Sequence, residues 1–456
     1  MTVNNIIYHF SERNLPEKEN TCYIVFMKKT VFIYTFGCQM NVHDTEKMLG
    51  VLKKGDYYKT DNPDKADLII FNTCSIRQKA EQKFYSELGR VKAYKKNRPD
   101  LRIAVAGCIA QQEGKKILKK ASYVDFVFGP QNIHKLEDFI SSSNAPVAVS
   151  DNPDLALIDL PVQREAGVKA WVTIMYGCNN FCSYCVVPYT RGREKSRPSE
   201  HIYAEVSEIA EKGCKEITLL GQNVNSYQSD VSFPGLLKNL SRVGGIERIR
   251  FVTSHPKDLS LDLADAIAEL PKVCEHIHLP LQSGSDNVLK LMNRVYSYDI
   301  YRDKVILLRE KVPGITITSD IIAGFPGETE KDHIRTVDAL KEMEFDGIFA
   351  FKFSPRPGTA AVRIEGHLPE NIKSERLDEI LRLQDDITLR KNLLFENTHQ
   401  EILIEGISGT DKGRLTGRTR TNKIVTIPET ETLKGTIITV EIKKARKHSL
   451  EGIPLK

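Results

Sequence analysis

Trp171-Val172-Thr173-Ile174-Met175-Tyr176-Gly177-Cys178-Asn179-Asn180-Phe181-Cys182-Ser183-Tyr184-Cys185 joins an apolar, β-branched run to three cysteines. The run Trp171–Met175 reads as a buried strand, stopped by a glycine. The cysteines follow with three and then two residues between them. Thiolates so spaced can wrap one metal cluster. A cubane has four irons and takes cysteine thiolates as its usual ligands, so Cys178, Cys182 and Cys185 would leave one iron open. An open coordination position marks a catalytic rather than a structural metal. A zinc knuckle would want a fourth Cys or His close by, and the loop offers none.

This strand and loop open a series. Glu216–Leu220, Arg248–Thr253, His276–Leu279, Thr316–Ile322 and Ile348–Phe353 are further strand candidates, most followed by Gly, Pro, Ser or Asn and then a helical pattern. Six β/α units across residues 164–395 predict a partial (β/α)6 barrel, open where eight units would close it, with functional groups at the strand C-termini.

Upstream, residues 29–145 repeat a shorter pattern. Val31–Phe36 ends in Gly37-Cys38, Leu68–Phe71 in Asn72-Thr73-Cys74, and Ile103–Ala106 in Gly107-Cys108. A helix-compatible stretch follows each; Ile76, Ala80, Phe84 and Leu88 share one helical face. Such alternation predicts a parallel α/β sheet, whose strand C-termini share one edge. Cys38, Cys74 and Cys108 should meet there as a second three-thiolate site. Cys22, Cys214 and Cys274 have no such context and read as ordinary thiols. A linker, about Ser141 to Arg164, contains Pro146, Pro153 and Pro161.

Downstream, residues 396–456 hold β-rich runs, Ile402–Ile404, Ile424–Ile427 and Ile437–Ile442, separated by Gly-containing turns. A small antiparallel barrel is expected. From Glu401 onward eleven Lys and Arg face seven Asp and Glu, so this piece carries +4 of the chain's +5. Arg414, Arg418, Arg420 and Lys423 crowd one hairpin, and Lys443, Lys444, Arg446 and Lys447 follow the last strand. Either a polyanion partner or a solvated basic face accounts for them.

The chain has 456 residues, 41% of them hydrophobic, and no apolar run approaches the roughly 18 residues of a membrane span. The stretch Cys22 to Met27 is too short for a secretory signal, so a cytoplasmic location is expected. Nine cysteines in such a chain argue for metal or catalytic use rather than disulfides. The first 26 residues look dispensable, and Met27 offers an alternative start.

Cys178 to Cys185, with the aromatic Tyr184 before the last cysteine, resembles the signature of radical S-adenosylmethionine (SAM) enzymes. The resemblance implies that the open iron chelates SAM and that one electron cleaves it to a 5′-deoxyadenosyl radical. It also points to other strand ends as SAM contacts: Gly221-Gln222-Asn223, Gln282 beside His278, and Gly324, Gly327 and Glu328 in Gly324-Phe325-Pro326-Gly327-Glu328. At Gln222-Asn223 the chain departs from the superfamily, which often has an acidic residue, and offers amide oxygens. Gly37-Cys38-Gln39-Met40-Asn41, Asn72-Thr73-Cys74-Ser75-Ile76-Arg77, Pro188-Tyr189-Thr190-Arg191-Gly192-Arg193-Glu194, Ser254-His255-Pro256-Lys257-Asp258 and His278-Leu279-Pro280-Leu281-Gln282-Ser283-Gly284-Ser285 resemble the MiaB-type methylthiotransferases.

The MiaB-type resemblance implies two 4Fe–4S clusters, two SAM molecules and a transfer RNA (tRNA) whose dimethylallyl-modified adenosine, beside the anticodon, gains a 2-methylthio group. It further implies a reducing electron donor such as flavodoxin or ferredoxin, a monomer, and a C-terminal TRAM domain that binds RNA. Gln39-Met40 argues against the ribosomal-protein methylthiotransferases, which typically have Pro-Lys after the first cysteine. The branch acting on threonylcarbamoyladenosine also differs there. A non-catalytic electron carrier would need neither the barrel nor the RNA-like domain.

Overall fold

The computed structural model describes residues 28–75, 78–142, 146–165, 167–409, 411, 413–429, 431 and 434–455. Cys22, the alternative start at Met27, and Ile76 and Arg77 lie outside the described residues.

The N-terminal unit is a six-stranded parallel sheet in the order β2-β1-β3-β4-β5-β6. Its strands are Lys29–Thr35 (β1), Tyr57–Lys59 (β2), Leu68–Thr73 (β3), Arg102–Ala106 (β4), Phe126–Phe128 (β5) and Val147–Ala148 (β6). Helices Gln39–Lys54 (α1), Gln78–Asn97 (α2), Gly107–Glu113 (α3), Lys115–Lys120 (α4) and Leu136–Ser141 (α5) connect them. Side chains alternate across a strand, and here both faces are covered. Ile69, Phe71, Ile103 and Val105 fill one apolar cluster, while Leu68, Ile70, Ala104 and Ala106 fill the other. Every residue of β3 is buried, which is why it reads as an unbroken apolar run.

All six expected core strands form: Lys169–Thr173 (β7), then, beyond the short antiparallel pair Met175–Tyr176 (β8) and Lys195–Ser196 (β9), Glu216–Leu220 (β10), Arg248–Phe251 (β11), His276–His278 (β12), Thr316–Ala323 (β13) and Gly347–Lys352 (β14). They make two parallel ladders, β11-β10-β7 and β12-β13-β14. The seam between them is bridged by backbone bonds Ile249 N to Lys272 O at 2.7 Å and Cys274 N to Ile249 O at 3.0 Å. Leu219, Ile249, Ile277 and Ile317 lie in one buried cluster with Ile202, Leu236 and Leu263 of the surrounding helices.

The C-terminal unit is a closed barrel in the order β15-β16-β17-β19-β18: His399–Ile407 (β15), Arg414–Thr419 (β16), Ile424–Pro428 (β17), Ile437–Ala445 (β18) and Leu450–Pro454 (β19). It has two strands more than the apolar runs reveal, because β16 is polar. One pairing corrects the purely antiparallel expectation: β17 and β19 run parallel.

The N-terminal unit is seated on the core through α1. Lys47 donates to the Tyr176 hydroxyl at 2.7 Å, Thr173 donates to the Met40 sulfur at 3.9 Å, and Arg191 pairs with Asp44 at 2.7 Å, both almost fully buried. At the opposite end of the core, the β16–β17 hairpin closes the strand N-termini. Arg248 donates to Arg418 O at 2.6 Å, and Arg250 donates to Arg420 O at 2.8 Å and Thr419 O at 2.7 Å. Among the described residues no helix is long and apolar enough to cross a membrane.

Candidate radical and sulfur-carrying centre

Cys38, Cys74 and Cys108 stand just past the C-termini of β1, β3 and β4, three adjacent parallel strands. Their loops are tied by buried polar side chains. Asn41 donates to Asn72 Oδ1 and to Thr73 O, both at 3.0 Å. Asn72 returns a bond to Asn41 O at 2.7 Å, and Thr73 Oγ1 donates to Ala106 O at 2.5 Å while accepting from Ile109 N. Satisfied networks of this kind fix one geometry. Gly37 has φ +118°, and a Cβ there would collide with the Cβ and Sγ of Cys74. The first cysteine can therefore approach the second only behind a glycine. The Cys38 thiol donates to Asn41 Oδ1 at 3.4 Å. Burial pushes the Cys108 thiol above its usual range, opposed by the Arg191 guanidinium.

The second triplet follows β7 and β8. Cys178 N bonds Gly192 O at 3.1 Å and Cys185 N bonds Cys182 O at 2.9 Å, so the loop folds back on itself. Phe181 sits at φ +46°, and Asn293 Nδ2 holds its carbonyl at 3.0 Å. Two N–H donors reach the sulfurs: Val187 N to Cys185 Sγ and Arg294 Nη1 to Cys182 Sγ, each at 3.5 Å. Burial lifts the Cys178 thiol to about 11 and Cys185 to about 12. Metal binding releases such protons.

Soft thiols, three buried and three half-buried, with N–H donors to the Cys182 and Cys185 sulfurs, are a donor set suited to an iron–sulfur cluster. Among the described residues no three acidic, Cys or His side chains converge on a single ion. A cubane binds each thiolate through a different iron, so its ligands need not converge. The residues present fit a cluster at each triplet.

The other strand ends of the core carry buried acceptors without partners: Asn223 Oδ1 after β10 and Gln282 Oε1 after β12. They are suited to an ammonium group, as the amide reading of Gln222-Asn223 anticipates. Asn223 is aimed by its other end, which donates to Asp258 Oδ2 at 2.7 Å. Gly221, Gly324 and Gly327 lie at the same edge, and the Tyr184 ring packs against Phe325. Glu328 is engaged elsewhere: its carboxylate accepts from Arg376 at 2.7 Å and from Gly324 N at 3.1 Å. It shapes the Gly324–Gly327 turn rather than facing a ligand. Cys214 and Cys274 are buried, and the Cys214 thiol meets Val168 O and Glu216 O at 3.2 Å.

Sequence reasoning missed Arg294 and assigned Arg191 no role, although Arg191 sits inside a quoted motif. It also misplaced the basic hairpin. Arg420 forks onto Glu275 at 2.7 and 2.9 Å, Arg418 donates to Glu405 at 3.1 Å, and buried Lys423 pairs with Asp346 at 3.3 Å. Arg420 and Lys423 dock the barrel on the core and Arg418 pairs within the barrel, so these charges are engaged by carboxylates rather than open to phosphate. Lys443, Lys444 and Arg446 remain on the exposed face.

Three family models match in chain order: the uncharacterized protein family UPF0004 over residues 30–129, the radical SAM superfamily over 172–340 and the TRAM domain over 394–455. A tRNA-2-methylthio-N(6)-dimethylallyladenosine synthase of Thermodesulfovibrio yellowstonii is 55% identical, covering 93% of this chain and 98% of that protein. The protein of the same name from Syntrophus aciditrophicus is 48% identical, covering 93% and 94%. Among solved structures, the radical SAM methyltransferase TsrM of Kitasatospora setae, with cobalamin and a [4Fe-4S] cluster bound, is similar with a TM-score of 0.57 at 14% identity. It covers 74% of this chain and 77% of that one. The cobalamin-dependent radical enzyme OxsB gives 0.52 at 11% identity, covering 79% and 56%. At such identities the likeness concerns the fold. Identity and coverage together place the sequence: the chain belongs to the tRNA-2-methylthio-N(6)-dimethylallyladenosine synthase family.

Proposed function

We propose that this chain converts N(6)-dimethylallyladenosine beside the tRNA anticodon to its 2-methylthio derivative, with two 4Fe–4S clusters and two SAM molecules. The observation that carries the reading is the placement of two cysteine triplets at the strand C-termini of two parallel α/β units locked together through α1. Cys178, Cys182 and Cys185 would hold one cluster, and Cys38, Cys74 and Cys108 the other. When bound, the first supplies SAM-derived radical chemistry and the second carries the sulfur. Carbon 2 of adenine is neither acidic nor nucleophilic, so acid–base groups alone would not functionalise it.

The chain's own residues bind and orient. Asn223 and Gln282 offer oxygens to the ammonium of SAM, and the backbone at Gly221, Gln222, Gly324 and Gly327 allows close approach. Tyr184 packs beside the cluster loop, and Glu328 holds the Gly324 turn. The base must leave its stack to reach these strand ends, which loop adenosines do most easily. Lys443, Lys444 and Arg446 supply phosphate contacts; their surface ion pairs are weak enough for phosphates to displace. The units 29–145, 164–395 and 396–456 act as one cytoplasmic monomer fed by a reducing donor such as flavodoxin or ferredoxin. Nucleoside mass spectrometry of tRNA from a deletion strain tests this. Loss of the 2-methylthio nucleoside, restored by the wild-type gene but not by C178A, is expected. An unchanged nucleoside profile overturns it.

A further inference from the structure

Arg191 lies six residues after Cys185, at the end of the short helix Val187–Thr190 (α6). The segment that supplies the last ligand of one thiol site thus carries a guanidinium out of the core and into the other. Arg191 is only 4% exposed, and its Nη2 donates to Asp44 Oδ2 at 2.7 Å. Asp44 stands on α1, whose N-cap is Cys38. Helix α6 packs against α3, which begins Gly107-Cys108. The Arg191 carbonyl accepts from Gln131 Nε2 at 3.1 Å, so its backbone is pinned as well. A guanidinium has five N–H donors in a rigid fork. Asp44 takes one edge, and the guanidinium's charge acts on Cys108 and Cys38, lowering the Cys108 thiol against the effect of its burial.

We propose that Arg191 is a positioning residue of the N-terminal thiol site: clamped by Asp44, it holds the Cys38 and Cys108 sulfurs and raises the reduction potential of the cluster they bind. This rests on the two-cluster reading above. A fixed positive charge favours the more negative, reduced state, and donors to the sulfurs act in the same direction. Burial strengthens both effects by excluding water. Asp44 opposes the charge in part, so the two residues set the potential against each other. A guanidinium that served only to dock the two units would leave the potential alone.

The test is a redox titration of the full-length reconstituted protein carrying C178A/C182A/C185A, followed by electron paramagnetic resonance, so that one cluster is read. R191Q should lower the ratio of reduced to oxidised cluster at the parent's midpoint roughly tenfold, about 59 mV for a one-electron couple. R191K, which keeps the charge, should stay closer to the parent. D44N should shift the midpoint the opposite way, because it frees the arginine's charge. An unchanged midpoint in R191Q overturns the inference. Should R191Q lose its iron, D44N decides: an unchanged or more negative midpoint overturns it equally. Wild-type protein holding about four irons rather than about eight per chain, one cubane rather than two, would overturn the two-cluster reading and this inference with it. Eight irons with unmoved midpoints overturn this inference alone.

Discussion

Arg250→Met is expected to release the β16–β17 hairpin from the floor of the core. Arg250 Nε donates to Glu216 Oε2 at 2.9 Å, and both side chains are almost fully buried. Its two other nitrogens hold Arg420 O and Thr419 O at 2.8 and 2.7 Å. Methionine keeps the stem's volume but strands the Glu216 carboxylate. Leaving one partner of a buried pair uncompensated costs about 3–5 kcal/mol. The two carbonyls would each lose a charge-assisted bond of about 1.5–3 kcal/mol. Those losses do not add in full, because a lifted hairpin lets water in, so about 3–5 kcal/mol is the expected total. Unfolding of a three-unit chain is not two-state. The measurement is therefore native-state hydrogen exchange at the amides of residues 414–428, where protection should fall by that amount while the core helices keep theirs. E216L/R250M removes the stranded charge but not the two lost carbonyl bonds, so it should recover only part of the loss. A change below about 1 kcal/mol in R250M, or a double variant fully restored to the wild-type protection, would refute the docking argument.

Replacing Cys178, Cys182 and Cys185 with Ala should halve the iron and abolish 5′-deoxyadenosine formation, whereas replacing Cys38, Cys74 and Cys108 should halve the iron, spare SAM cleavage and stop methylthiolation; iron assay and product chromatography check both. Burial raises the Glu46 carboxyl to about 7, with Arg164 opposing. The folded state then keeps a proton that the unfolded chain sheds near about 4.3. Stability from this group should fall as pH rises through that window, by at most about 4 kcal/mol, and level off above pH 7. Native-state hydrogen exchange at the amides of α1, compared at pH 5 and pH 8 after allowance for the intrinsic exchange rates, should show a shallower fall in protection in E46Q than in wild type. Replacing Lys443, Lys444 and Arg446 with Ala should weaken tRNA binding and reduce the logarithmic salt slope by roughly one unit per lost contact, read by filter binding; a wild-type slope would exclude this face.

The α/β strands and both cysteine triplets were legible because each is local: an apolar run, a stop, a thiol. Partners that meet only in the folded chain were not. Asp44 and Arg191 are 147 residues apart, and no periodicity joins them. Glu328 looked available beside its glycines because Arg376, its partner, comes 48 residues later. The hairpin misled for a different reason. Arg418, Arg420 and Lys423 register as excess charge in the sequence, but charge density does not reveal whether a face meets solvent or a carboxylate such as Glu275 or Asp346. The polar strand β16 escaped notice because Gly417 and its threonines lack the apolar alternation that marks β15.

The hairpin plug has a geometric consequence. It closes the strand N-termini, while the cysteine loop and the unpaired oxygens of Asn223 and Gln282 lie at the strand C-termini. Strand β13, of eight residues, separates the two levels by about 26 Å at roughly 3.3 Å per residue. With the barrel bolted to the floor, its distance from the opposite rim is set by strand length, like a caliper of fixed jaw. On the function proposed above, a stem-loop would be accepted when its phosphates and its unstacked adenosine fit that gap together. Adding or deleting one base pair of stem would carry the adenosine past the rim, so substrate choice becomes a matter of length as well as sequence.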